Sequence, residues 1–280
     1  MNYNSAINYG YKILKKNFIK SANIDSEIIL SKTVNLKREK LLVNLDKKLS
    51  DNQIKYFKEL LKRRKNKEPI AYILNKKEFW KKTFKVNSNV LIPRPDTEIL
   101  VDQVIKFLPL NSSKLILEIG TGSGCIILSV LNERKNCYAK AIDISKKALK
   151  VAEYNAKIQH LRNRIQFIYS SIDKFCYGKY DIIVSNPPYI KSAGIKNLDE
   201  DVRFYEPRIA LDGGFDGYSL IKEVIKKSSY LLKNGGKLFL EIGFNQIYEV
   251  KKLLKENHFY VNKVVKDLNK INRCIVSTKV

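Results

Sequence analysis

Asn186, Pro187, Pro188 and Tyr189 follow the apolar run YDIIVS and set an amide, two ring-locked residues and a flat ring side by side. Proline has no backbone N–H, so its carbonyl is free to face a ligand, and the rigid pair restricts where those carbonyls point. Such a set suits a planar NH2 group. Asn186 Oδ1 and the Pro187 carbonyl can accept its two hydrogens, and the Tyr189 ring can hold its plane. An amide or base-amine nitrogen has a delocalised lone pair and is a poor nucleophile. Aligning it with an electrophile, and stabilising the positive charge that develops on it, is proximity and electrostatic catalysis. It requires neither a metal nor a covalent nucleophile. Without chemistry, the same four residues would simply make a rigid turn.

A place for the electrophile is visible upstream. Glu118, Ile119, Gly120, Thr121, Gly122, Ser123 and Gly124 lie between an apolar strand and a helix opening CIILSVL. Glycines allow a tight turn and close approach of backbone to a ligand, and the helix start offers free N–H groups. Asp143, 19 residues past Gly124, ends the next strand, where a carboxylate can accept both hydroxyls of a ribose. Dehydrogenases share such loops. Here the spacing is GxGxG, which does not meet GxGxxG, and Glu118 stands two residues before the first glycine. A carboxylate is a poor neighbour for a pyrophosphate and a good one for a sulfonium bearing an amino group. S-adenosylmethionine therefore fits better than NAD. The bland alternative is a structural turn with Asp143 capping a helix.

Both motifs need strands that end side by side. Apolar runs occur at 114–119, 138–143, 165–169, 180–185, 237–242, 259–265 and 273–279, with helical segments between several of them. That alternation predicts an α/β fold with a seven-stranded, mostly parallel sheet covered on both faces, its last two strands joined as a hairpin. The strand before Asn186 should neighbour the strand before the glycine loop, so that both motifs open at one crevice. Residues 1–75 read as a small helical domain, with Ser50 and Asp51 capping its third apolar stripe. Residues 76–110 read as a hairpin over 78–86 and a linker helix that starts after Pro93 and Pro95. Residues 111–280 carry the sheet. No internal repeat is visible.

The net charge is +25, from 53 Lys and Arg against 28 Asp and Glu. That suits an acidic partner such as RNA. Only 10 of the bases are arginine, however, and the lysines are scattered, which reads more simply as a lysine-rich composition. Four separated cysteines and two histidines suggest neither a zinc site nor a disulfide framework. The opening residues resemble neither a signal peptide nor a membrane anchor, and no apolar run reaches membrane-spanning length. A reducing cytoplasm is the expected compartment.

Together the motifs resemble the bacterial release factor glutamine methyltransferases. The matching pieces are RRKNKEPIAYIL at 63–74, EFW at 78–80, LIPRPDTEILV at 91–101, EIGTGSG at 118–124, Asp143, SNPPYI at 185–190, YEPRIALDGGFDG at 205–217 and LEIG at 240–243. Nucleic-acid amino-methyltransferases share Asn-Pro-Pro-Tyr but do not combine Pro-Arg-Pro-Asp-Thr-Glu with YEPRIALDGG. The resemblance implies a class I, Rossmann-like methyltransferase sheet. It also implies transfer of a methyl group from S-adenosylmethionine to the side-chain nitrogen of the glutamine in the Gly-Gly-Gln motif of peptide chain release factors.

By that resemblance, Gly120 through Gly124 cradle the methionine part of the cofactor, with Glu118 beside them, and Asp143 holds the ribose. Asn186 touches both cofactor and glutamine, and Pro187, Pro188 and Tyr189 complete the glutamine pocket. Ser171 and Ile172 are the candidates around the adenine, where relatives often carry an acid. Arg94 and Glu98 would brace the cofactor pocket or the domain junction, and Glu206 would pair with Arg208. The helical domain would help hold the release factor. Asn75 stands where a glycine is frequent, and the ending NKINRCIV keeps Arg273 without a usual glycine. The implied partner is a bacterial release factor, with no obligate nucleic acid, no membrane, and a monomer as the default. The alternatives are an RNA or DNA exocyclic-amine methyltransferase and a cofactor-binding protein without catalysis.

Overall fold

Helical periodicity near the start becomes five helices: α1 (Tyr3–Lys16), α2 (Ala22–Val34), α3 (Arg38–Leu42), α4 (Asp51–Lys65) and α5 (Ile70–Leu74). The computed structural model describes residues 1–280 in two units, Met1–Asn75 with Asp199–Tyr205, and Lys76–Leu198 with Glu206–Val280. In the helical unit, Ser50 caps α4 in a capping box with Gln53. The stripe on α4 buries Phe57, Leu60 and Leu61 against Leu14, Ile29 and Leu30. Arg64 reaches from α4 to Asp25 on α2 at 2.7 Å, a buried pair that the Ser21 hydroxyl also joins. Asn75 ends α5 at φ 56°, a left-handed conformation that asparagine tolerates and glycine adopts freely. Residues 199–205 belong to this unit. The Tyr205 hydroxyl donates to the Asn66 carbonyl at 2.6 Å.

The second unit begins with the hairpin β1 (Lys76–Phe79) and β2 (Lys82–Lys85) and then α6 (Glu98–Phe107). Trp80 and Lys81 turn the hairpin with φ of 44° and 61°, and Glu98 Oε1 accepts from the Trp80 N–H at 2.9 Å. There follow β3 (Leu115–Ile119), α7 (Cys125–Glu133), β4 (Tyr138–Asp143), α8 (Lys146–Ile158), β5 (Ile165–Tyr169) and β6 (Tyr180–Ser185). Next come α9 (Glu200–Tyr205, in the helical unit), α10 (Ser219–Leu231), β7 (Leu232–Glu241), α11 (Ile247–Glu256), β8 (Phe259–Lys266) and β9 (Asn272–Lys279). The seven-stranded sheet has the order β5-β4-β3-β6-β7-β9-β8. All pairs are parallel except the two made by β9, which is antiparallel to both neighbours.

Alternation along the strands builds a core on each face. Ile116, Ile182, Val184 and Phe239 pack under α6 and α7 with Val101, Val104, Ile127 and Leu131. Their neighbours Leu117, Ile183, Leu238 and Leu240 point to the other face, with Ile221 and Ile225 of α10 and Val250 and Leu254 of α11. No helix is long and apolar enough to cross a membrane.

Candidate active site

β3 pairs with β4 on one side and β6 on the other, and a cavity of about 670 Å³ is lined by residues at their carboxyl ends. That volume is in the range of small-molecule sites. Gly120, Gly122 and Gly124 sit at φ of 74°, 56° and 79°. Their surroundings differ. A Cβ on Gly120 or Gly122 would meet nothing within 4 Å, so the loop presents an open shelf. A Cβ on Gly124 would press on Leu128 at 3.1 Å and Ala152 at 3.3 Å, so this glycine lets α7 and α8 close up. Gly120, Thr121, Gly122 and Ser123 line the cavity.

Asp143 also lines it. Its Oδ2 accepts from the Gly122 N–H at 2.9 Å and its Oδ1 from the Ser145 N–H at 2.8 Å, so it braces the loop and the start of α8. Burial raises its pKa against these backbone donors. Ser171 and Ile172 lie in the same wall, with Asp173, whose carboxyl the Ser171 hydroxyl holds below its ordinary value. Behind the wall, Asn155 binds the Lys85 backbone on β2 through both ends of its amide and gives a further bond to the Ser123 carbonyl at 2.8 Å.

Glu118 lies behind the loop and outside the cavity wall. It is buried and accepts from the Thr121 hydroxyl, while its Oε1 has no partner. Burial pushes its carboxyl from an ordinary 4.5 up to about 8, opposed by the Thr121 hydrogen bond.

On the other side, Ser185 Oγ donates to the Ile119 carbonyl at 2.8 Å and ties the end of β6 to the end of β3. Asn186, Pro187 and Pro188 line the cavity. Asn186 Nδ2 donates to Thr97 Oγ1 at 3.2 Å, which leaves Oδ1 without a partner inside the protein. Thr97 ends the short turn Pro95–Thr97 that leads into α6, and it too lines the cavity.

Tyr189, expected as the flat wall of this pocket, is turned away from it. Its hydroxyl donates to Glu241 Oε1 at 3.4 Å, and its ring lies over Gly243, where a Cβ would come within 2.8 Å of Cδ2. The cause is the buried acid at the end of β7, which offers the hydroxyl an acceptor. Burial, then that acid, raises the Tyr189 pKa. Burial also raises Glu241 to about 7, against the nearby Thr97 hydroxyl and the charge of Arg273, and its Oε2 has no hydrogen-bond partner.

The segment at 205–217 supports the Asn-Pro-Pro-Tyr turn from behind. The Ile190 N–H donates to the Leu211 carbonyl at 3.2 Å, and the Gly213 N–H donates to the Ile190 carbonyl at 2.8 Å. A Cβ on Gly213 would stand 2.8 Å from the Pro188 carbonyl oxygen. The Gln246 amide joins three loops, donating to the Gly217 carbonyl at 3.0 Å and the Tyr189 carbonyl at 3.3 Å while accepting from the Gly243 N–H at 2.8 Å.

The expected pairing of Glu206 with Arg208 does not form. Glu206 is buried and takes two donors, Arg94 Nη2 at 2.5 Å and the Ile92 N–H at 3.0 Å. Arg208, largely exposed at the cavity rim, pairs instead with Asp212 at 3.2 Å. Thr97, Asn155, Glu241 and Gln246 are not among the site residues that sequence alone suggests. Thr97 and Glu241 carried a signal in the PRPDTE and LEIG matches, whereas Asn155 and Gln246 had none.

Comparison with known proteins places this geometry among relatives. Residues 5–74 match the PrmC N-terminal domain, and residues 96–201 match the methyltransferase small domain. The chain is 36% identical over 267 residues to a release factor glutamine methyltransferase of Caulobacter vibrioides, covering 95% of this chain and 92% of that protein. It is 35% identical over 284 residues to one of Clostridium acetobutylicum, covering 100% and 99%. It also matches a bifunctional methyltransferase of Rickettsia felis at 38% identity, where it spans 55% of the longer protein. A solved methyltransferase from Pyrococcus furiosus aligns with TM-score 0.52 and 18% identity over 70% of this chain and 88% of that one, a likeness of fold.

Two outcomes are expected from this arrangement. Gly213→Ala should destabilise the unit by about 1–3 kcal/mol, because the added methyl meets backbone that cannot swing aside. A thermal melt coinciding with wild type would contradict the close contact. For Glu118, the raised pKa means that the folded chain keeps a proton which the unfolded chain loses above about pH 4.5. Its contribution to stability is therefore fully present below that pH and lost as pH rises through about 8. Glu118→Gln should gain in melting temperature relative to wild type as pH rises across that window. A difference constant with pH would show that Glu118 is not held protonated.

Proposed function

The chain belongs to the release factor glutamine methyltransferase family, and from that premise we propose its specific reaction. It moves the methyl group of S-adenosylmethionine to the side-chain nitrogen of the glutamine in the Gly-Gly-Gln loop of a peptide chain release factor, in support of translation termination. One observation carries this reading. An asparagine whose carbonyl oxygen has no partner stands with two prolines in the wall of a cavity that an open glycine shelf also lines.

The residues fit the methyl donor. Gly120 and Gly122 leave room for close approach, Asp143 faces the cavity with lone pairs left for a ribose, and Ser171 and Ile172 flank the adenine side. Glu118, one layer behind the loop, is a buried acid with a raised pKa that a cation bound beside it would favour in its ionised form. When bound, S-adenosylmethionine supplies an electrophilic methyl group on a cationic sulfur.

The protein's part is to bind and aim. Asn186 Oδ1 and the Pro187 carbonyl accept the two hydrogens of the glutamine amide and turn its nitrogen towards the methyl carbon. The same two oxygens would stabilise the charge that develops on the nitrogen as it takes the methyl group, and the surplus proton would leave to solvent. Pro188 shapes the pocket, and Tyr189 steadies the turn from behind through Glu241 and Gly243. In this reading the chain works as a monomer in the cytoplasm, its partners are bacterial release factors, and neither nucleic acid nor membrane is needed.

The test is methyl transfer from labelled S-adenosylmethionine to a purified release factor, to the same factor with the Gly-Gly-Gln glutamine replaced by alanine, and to rRNA and tRNA. Label on the intact factor alone is expected. Label on RNA would keep the chemistry and overturn the substrate. Asn186→Ala should lower turnover on the order of a hundredfold or more, as for loss of one preorganised partner of a transition-state charge, with a much smaller effect on cofactor affinity. Wild-type turnover in that variant would remove Asn186 from the mechanism.

A further inference from the structure

We propose that Phe215, with Ile209 on the same segment and Phe244 on the neighbouring loop, forms an apolar docking surface for the folded release factor whose glutamine enters the cavity. The inference rests on the reading of the reaction given above. It starts from Phe215, which is 96% exposed in the middle of the segment 205–217. A phenylalanine held out in water adds no burial to the fold that carries it. Large apolar side chains gathered at the rim of a site mark a surface that another molecule covers.

The loop fixes Phe215 in that position. Before it, Gly213 lies against the Asn-Pro-Pro-Tyr turn, where a Cβ would come within 2.9 Å of the Tyr189 Cα. Gly214 and Gly217, on either side, have φ of 89° and 80°. Asp212 Oδ1 accepts from the Gly214 N–H at 3.0 Å, and Asp216 Oδ1 accepts from the Tyr218 N–H at 2.9 Å. The Ser219 N–H closes the loop on the Gly213 carbonyl at 3.0 Å. Backbone is therefore pinned on both sides of the exposed ring, and little ordering entropy is left to lose when a partner covers it.

The loop also stands at the cavity. Asp212 and Leu220, which bracket it in sequence, both line the wall. Ile209 lines the wall too and is 57% exposed, so it belongs to the rim. Gln246 donates to the Gly217 carbonyl and accepts from the Gly243 N–H, which brings the loop of Phe244, 66% exposed, alongside. A glutamine side chain is short. To reach Asn186 it must draw the polypeptide that bears it across the cavity mouth, and a folded protein then lays its surface on this rim. Aromatic side chains are what protein interfaces preferentially bury. A nucleic-acid strand could stack on the ring as well, but it would need free cations beside it. The bases nearest along the chain, Arg208 and Lys222, are paired with Asp212 and Asp216.

The experiment measures kcat and KM for a purified release factor, and Kd for S-adenosylmethionine. The proteins are wild type, Phe215→Ser, Phe215→Leu, the Phe215→Ser/Phe244→Ser pair and Tyr138→Ser. Tyr138 is a control, an exposed aromatic that begins β4 at the end of the sheet away from the cavity. Phe215→Ser should raise KM for the factor about tenfold, as for loss of one aromatic anchor, with kcat and cofactor Kd near wild type. The pair should raise KM further, Phe215→Leu should recover most of the affinity, and Tyr138→Ser should match wild type. An unchanged KM in the pair would overturn the docking surface and leave the proposed reaction standing. So would a fall in kcat at unchanged KM, or a wild-type dimer in sedimentation that the pair dissolves without any change in KM. Methyl transfer by wild type to RNA and not to the factor would overturn the reaction and the docking surface together.

Discussion

The register between β3 and β6 is the constraint on which the site depends. Ile119 stands opposite Ser185 in adjacent parallel strands, and Ser185 Oγ closes on the Ile119 carbonyl at 2.8 Å. One residue later each strand leaves the sheet, β3 into Gly120 and β6 into Asn186. The shelf for one reactant and the acceptor for the other therefore begin at the same level, held by backbone. A slip of one residue would turn Ile183 and Val184 to the wrong faces and misplace Asn186 at the same time. Stability and chemistry are specified by the same alternation of apolar side chains.

Rigidity at the Asn-Pro-Pro-Tyr turn comes from outside the motif. Gly213, Gly217 and Gly243 each bring backbone so near to Pro188 or Tyr189 that a methyl group would not fit, and Gln246 spans three of the loops concerned. Two prolines restrict their own φ angles but cannot anchor themselves to a sheet. The supporting segments supply the anchoring, as a site aimed at a single nitrogen requires.

This explains which parts could be read in advance. Local pattern carried the strands, the loop glycines, the Ser50 cap and Asn75 as a stand-in for glycine, since each depends on neighbours along the chain. The orientation of Tyr189 did not follow, because it is decided by Glu241, 52 residues away. The partner of Glu206 is hidden from local sequence for the same reason. A nearby arginine was available at Arg208, but a buried carboxylate needs its donors where it is buried, and those are Arg94 and the Ile92 N–H, more than 100 residues back. Asn155 and Gln246 are ordinary amides in polar stretches, and only the tertiary arrangement gives them work.

The charge of the cavity argues against the partner suggested by the whole chain. The protein carries +25, yet the charged residues in the cavity wall are four acids, Asp143, Asp173, Asp212 and Glu223, and two arginines, Arg94 and Arg208. Both arginines are already engaged, one by Glu206 and the other by Asp212. The two buried acids behind the wall, Glu118 and Glu241, have raised pKa values, so the negative charge is that of the wall itself. A polyphosphate or nucleic-acid strand entering here would meet carboxylates with no free cation to offset them. A sulfonium with an amino group, and an amide nitrogen that becomes positive as it reacts, would find their complement. The positive charge of the chain is thus a property of its exterior, and the site works with the opposite sign.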